Sequence, residues 1–169
     1  EFRQVMAGLN SGLRYAFNLS PSKPEMKTQS WTGEDGYRVV VVSGSGTAAM
    51  EMVIANRFRR NDLVLVPTNG KFGERVADIC RQFCNVKHLN YEWGRSFDLY
   101  ELEQQLERGC YEALLICHNE TSTGITQDAE AIAEMCERHG VSFILDGITS
   151  VGGMSFGRMM SSERSVSLS

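Results

Sequence analysis

The amino-acid sequence predicts an α/β protein with a three-layer αβα architecture and a mostly parallel central sheet. Short runs rich in Val, Leu and Ile alternate along the chain with longer segments of helical period, and the runs are nearly continuously apolar. Strands buried on both faces have no polar side to show, so such runs belong to a parallel sheet covered by helices above and below. Glycine, hydroxyl and amide residues cluster just after the runs. Right-handed crossovers gather those turns on one rim, at the carboxyl ends of the strands, where ligands of open α/β sheets bind.

Residues 1–18 place Phe2, Val5, Met6, Leu9, Leu13 and Phe17 at helical spacing and predict an N-terminal helix. Residues 19–36, rich in Pro, Ser and Gly, read as a connector. Residues 37–153 form the α/β domain. Its predicted elements are a strand over 37–42 (YRVVVV) and a helix over 46–58, then strand 63–67 and helix 73–84. Strand 86–91 and helix 98–107 follow, then strand 112–117, helix 127–139 and strand 141–145. From residue 154 to 169 the apolar period is lost, which predicts an irregular tail.

The chain has 169 residues, 42% of them hydrophobic and 22% charged, as expected for one globular domain. Its net charge of −4 and a single basic cluster, Arg57-Phe58-Arg59-Arg60, exclude a nucleic-acid footprint. Five cysteines, an odd number without framework spacing, together with the lack of a secretory or membrane-length apolar span, predict a cytoplasmic protein. Cys80 and Cys84 lie one helical turn apart, but neither Asp78 nor His88 completes a recognisable ligand set, so no metal site is predicted.

Four rim segments carry chemistry. Ser43-Gly44-Ser45-Gly46-Thr47 leads from an apolar run into a helix, where a tight turn exposes N–H groups that favour a phosphate. Gly44, Gly46 and Ala49 match dinucleotide spacing, yet the next strand ends in Pro67-Thr68-Asn69 without an acidic residue for a ribose. A phosphomonoester suits the turn better, and a plain N-cap is the alternative. Asp146 ends an apolar strand and needs a cation or donors to stay ionised; a protonated ring nitrogen would serve, as would an arginine or a capping turn. Residues 118–124 (HNETSTG) offer hydroxyls and an amide that orient a polar ring substituent or close a turn. Phe72 can stack on a flat heterocycle or simply pack.

In this order and spacing, the segments SGSGTAAMEM, NGKFGER, YEWG, HNETSTG and ILDGITSVGG resemble the large domain of the class V group of fold-type I pyridoxal-phosphate aminotransferases, especially the alanine/serine–glyoxylate type. The resemblance runs from about Phe2 to Gly153. It implies that Ser45, Gly46 and Thr47 hold the phosphate of pyridoxal 5'-phosphate, that Phe72 stacks on its ring, and that Ile148 packs on the other face. It further implies that Thr121, or Thr123 as a second candidate, contacts the ring's phenolic oxygen, that Asp146 pairs with the pyridinium nitrogen, and that Ser150 lies near the phosphate.

The chain departs from that pattern: the family's small C-terminal domain with its substrate-binding arginine, its N-terminal arm and its partner-subunit loop have no counterpart in these residues, nor does its lysine. The chain's only lysines are Lys23, Lys27, Lys71 and Lys87, and none matches the family's Schiff-base lysine, which lies beyond the aspartate-bearing strand. The expectation is therefore a large-domain fragment of a homodimeric aminotransferase. The parent would move an amino group from a small amino acid to glyoxylate or pyruvate, and the fragment alone would be inactive. The alternative is a non-catalytic module of the same fold that binds a phosphate-bearing ligand or another subunit.

Overall fold

A computed structural model describes residues 2–17, 39–154 and 165–168, the last four and Arg3 by backbone only. The expected connector and most of the expected tail lie outside the described residues.

Helix α1 spans Phe2–Ala16, and α2 spans Gly46–Arg57. A βα series follows: β1 (Leu63–Thr68), α3 (Lys71–Phe83), β2 (Asn85–Asn90), α4 (Leu99–Arg108) and β3 (Ala113–Cys117). A two-stranded hairpin, β4 (Asn119–Glu120) and β5 (Ile125–Thr126), leads to α5 (Ala129–His139) and β6 (Ser142–Asp146), and β7 spans Ser165–Leu168. The main sheet has the order β2-β1-β3-β6-β7, and all of its pairings are parallel.

Strand alternation sorts the core into two layers. Leu65, Leu114, Ile116, Phe143 and Leu145 face one way and pack with Leu102 and Leu106 of α4 and with Ile132, Met135 and Cys136 of α5. Val64, Val66, Ala113, Leu115 and Ile144 face the other way, against Met50 and Ile54 of α2 and Val76, Ala77 and Cys80 of α3. This is the expected αβα sandwich, and it explains why β1, β3 and β6 read as unbroken apolar runs: both of their faces are covered. β2 lies at a sheet edge and is only partly covered.

The helices begin and end on local signals. Asp98 accepts hydrogen bonds from the N–H groups of Tyr100 (2.9 Å) and Glu101 (3.1 Å), and Asp128 accepts one from Ala131 (3.1 Å). Gly140 closes α5 in the left-handed region (φ 67°), a conformation that glycine adopts without the clash a β-carbon would bring.

Two expectations need correction, and the N-terminal helix forms as expected with an unexpected burial pattern. Residues 39–42 of the expected first strand are not in a sheet, and Val40, Val41 and Val42 are exposed. A β-branched run becomes a strand only where a neighbour takes its backbone groups, and among the described residues none does. Residues 165–168 of the expected irregular tail instead pair with β6 from Phe143 to Asp146. Their short sequence carries little period, so the available edge of β6, rather than local propensity, makes them a strand. Finally, α1 has the expected helical period but exposes Phe2, Val5 and Leu9, while its Asn10 and Arg14 are buried.

Candidate active site

The carboxyl ends of β1, β3 and β6 and the start of α2 bring the predicted segments together. At the start of α2, Ser45 is the N-cap, its Oγ accepting from the Ala48 N–H at 3.2 Å. This leaves Ser45 exposed at the helix's positive end. The Thr47 hydroxyl accepts from the Arg75 guanidinium at 3.3 Å, and that guanidinium sits 5.7 Å from the centroid of the Phe72 ring, within cation–π range. Gly46 is in contact with the loop after β6: a β-carbon on it would lie 2.5 Å from Ile148 Cδ1.

Asp146, at the end of β6, is 7% exposed. Burial pushes its carboxyl above the usual carboxylate range; the Ile148 N–H, bonded to Oδ1 at 3.2 Å, pulls it back, and the charge of Glu120 pushes it up again. Among the described residues the Ile148 amide is its one hydrogen-bond donor, and no arginine or lysine pairs with it. Of the plain alternatives, the arginine pair is not found among the described residues, whereas the capping of the following turn is, through the Ile148 amide; the second carboxylate oxygen keeps no donor there.

Glu120 supplies what the sequence reading missed. It is fully buried, and its Oε2 accepts the backbone N–H groups of Phe72 (3.0 Å) and Gly73 (2.8 Å). The Ser122 N–H and hydroxyl donate to Oε1 at 3.2 and 2.5 Å. Thr121 is exposed in the turn that follows, while Thr123 is half-buried and donates to the Glu120 carbonyl at 3.4 Å. The signal for Glu120 was the amphipathic α3 beginning at Gly70, which has no side chain to cap it. Such a helix must find acceptors elsewhere.

Contacts and one electrostatic influence link these residues. Thr47 meets Arg75, Arg75 lies over Phe72, Phe72 bonds to Glu120, the Glu120 charge acts on Asp146, Asp146 holds the Ile148 amide, and Ile148 touches Gly46. Ser150 lies in the loop after β6. It is fully buried, its hydroxyl within hydrogen-bonding distance of His118 Nδ1 (2.8 Å) and of the Gly147 carbonyl oxygen (3.3 Å). Burial also holds His118 below its usual pKa, and its contact with Ser150 ties the loop after β6 to the end of β3. Lys71 directs its ammonium to Glu74 at 3.7 Å.

A parallel αβα sheet with a small-residue turn, an aromatic side chain and a buried carboxylate on its carboxyl rim is the layout of a ligand-binding α/β domain. More narrowly, the chain belongs to the class-V aminotransferase family, whose profile matches residues 22–157. A Synechococcus protein named soluble hydrogenase, small subunit, is 30% identical over 160 residues, covering 92% of this chain and 38% of that protein. Rat alanine–glyoxylate aminotransferase is 30% identical over 155 residues, covering 91% of this chain and 34% of the enzyme. The crystal structure of an alanine–glyoxylate aminotransferase from Nostoc superposes with a TM-score of 0.73 at 33% identity, over 89% of this chain and 37% of that one. The chain therefore spans little more than a third of the length of these relatives.

Proposed function

We propose that this chain is the cofactor-binding large domain of an aminotransferase that carries an amino group from a small amino acid to glyoxylate or pyruvate, using pyridoxal 5'-phosphate. The observation that carries this reading is Asp146, a buried rim carboxylate without a cationic partner among the described residues, joined through Ile148 to the small-residue turn at Gly46. The glyoxylate-using relatives support the choice of acceptor.

When bound, pyridoxal phosphate supplies an electron sink for the substrate's α-carbon. The chain's part is to hold and polarise it. Ser45, Gly46 and Thr47 take the phosphate at the α2 N-terminus, where the helix dipole and unpaired N–H groups favour an anion. Phe72 and Ile148 cover the two faces of the ring and exclude water, and Thr121, with Thr123 as the second candidate, donates to the ring oxygen. Asp146 keeps the ring nitrogen protonated, because a carboxylate beside it in a buried setting raises the nitrogen's pKa. The exposed apolar side chains of α1, with Phe2 76% and Val5 63% exposed, support assembly as a homodimer.

No lysine follows Lys87 in these 169 residues, so the Schiff-base lysine this reading calls for is not among them. The same observation favours the second reading, a module that binds a phosphate-bearing ligand without chemistry. Sequencing the full-length transcript separates the two: a lysine supplied downstream of residue 169 supports the enzyme, and a polypeptide ending there supports the module.

Pyridoxamine 5'-phosphate, which lacks the aldehyde and forms no lysine adducts, tests the site itself. It should bind the wild-type chain in calorimetry. Asp146→Asn should weaken it by less than about tenfold while the bound ring nitrogen loses its proton at lower pH. The cofactor-free chain should respond in the opposite sense. A folded pKa raised above the unfolded value means that the Asp146 contribution is full below about pH 3.9 and is lost as pH rises through the folded value. Asp146→Asn should therefore be the more stable form at pH 7. Absence of binding to the wild-type chain, or a ring spectrum indifferent to the substitution, would reject the assignment.

A further inference from the structure

Helix α3 begins without an N-cap side chain, because residue 70 is glycine. The N–H groups of its first turn are nonetheless satisfied, and all by one turn some fifty residues away in sequence. Lys71 N–H donates to Ser122 Oγ at 2.9 Å, and Phe72 and Gly73 donate to Glu120 Oε2. Ser122 in turn donates to Glu120 Oε1, so the hydroxyl and the carboxylate act as one acceptor unit. The Glu120 carbonyl closes its own turn by accepting from Thr123 N–H (3.1 Å) and Gly124 N–H (2.8 Å). Room for this arrangement exists only because of Gly70: a β-carbon there would overlap Glu120 Cγ and Cδ and the Ser122 hydroxyl. A carboxylate in this position also lies at the positive end of the α3 dipole.

Phe72 is the second residue of α3, and Thr121 immediately follows Glu120. From this geometry we infer that Glu120 is a positioning residue: one buried carboxylate ties the helix start that carries the stacking aromatic to the turn that carries the ring-oxygen hydroxyl, fixing the two against each other. The inference rests on the proposed roles of Phe72 and Thr121 in holding a pyridoxal ring. Glu120 touches no reacting atom; it acts through its neighbours.

The test uses the 169-residue chain, pyridoxamine 5'-phosphate as ligand, and Glu120→Gln, which keeps the size of the side chain but removes its charge and leaves one acceptor oxygen where Phe72, Gly73 and Ser122 now share two. Amide hydrogen exchange at Phe72 and Gly73 should accelerate by about tenfold, the factor expected for weakening one charge-assisted hydrogen-bond set. Affinity for the ligand should fall by a similar factor, and the circular dichroism of the bound ring should shrink even at saturation. The affinity loss should disappear in a Phe72→Ala background. Ser122→Ala, which leaves the carboxylate in place, should give the same pattern at smaller size and serves if E120Q does not fold. Faster exchange with unchanged ring dichroism would reduce Glu120 to a helix cap and overturn the proposal. A loss that persists without Phe72 would do the same. Failure of the wild-type chain to bind the ligand would instead reject the site reading, and this inference with it.

Discussion

Helices α2 and α3 both begin on the rim, and they begin in opposite ways. α2 starts locally: Ser45 caps it three residues before the N–H it bonds, and the neighbouring Gly46 meets only the tip of an exposed isoleucine. α3 starts remotely: Gly70 offers no cap, and acceptors come from Glu120 and Ser122, packed against it without a gap. The difference bears on how each helix start can serve a ligand. A helix capped by its own chain leaves its remaining N–H groups free to face an incoming anion, whereas one capped from across the fold has spent them on holding a side chain in place.

Substitutions at the two starts break the comparison if they cost the same. Gly70→Ala should be the most damaging, destabilising the chain by about 2 kcal/mol in urea unfolding, because the atoms it meets are held by several hydrogen bonds and cannot swing aside. Ser45→Ala should cost about 1 kcal/mol, the usual loss for a single N-cap. Gly46→Ala should change stability by less than about 0.5 kcal/mol, since the helix gains from alanine roughly what it loses in displacing Ile148. Its effect should appear in a changed Ile148 rotamer, seen by methyl NMR. Equal costs at positions 46 and 70 would show that the α3 cap is as yielding as the α2 turn.

The same contrast explains what could be read in advance. Ser45, Asp98 and Asp128 cap helices within a few residues of their partners, and the apolar runs of β1, β3 and β6 report burial on both faces, so the βα series and most of the rim were legible. Glu120 was not. Within HNETSTG the hydroxyls and amide drew attention, while the bond from Glu120 to Phe72 joins residues 48 apart and leaves no periodic trace. Arg75 escaped notice for the same reason: its link to Thr47 spans 28 residues. The contact between Ser150 and His118, 32 residues earlier, left no trace in the sequence either. Residues 39–42 of the YRVVVV run failed for a different reason, because strand propensity is realised only beside a partner strand.

The pairing of β6 with β3 has one last consequence. Cys117 and Asp146 are opposite each other in that parallel ladder, and the pleat sends Ile144 toward the α2 and α3 layer while Phe143 and Leu145 go toward α4 and α5. Asp146 is two residues on from Ile144, so the pleat turns it to the side where Gly46 and Phe72 begin their helices. Inserting or deleting a single residue within β6 would aim the carboxylate at the opposite helical layer. Which way this acid points is thus decided by whether a count along one strand is even or odd.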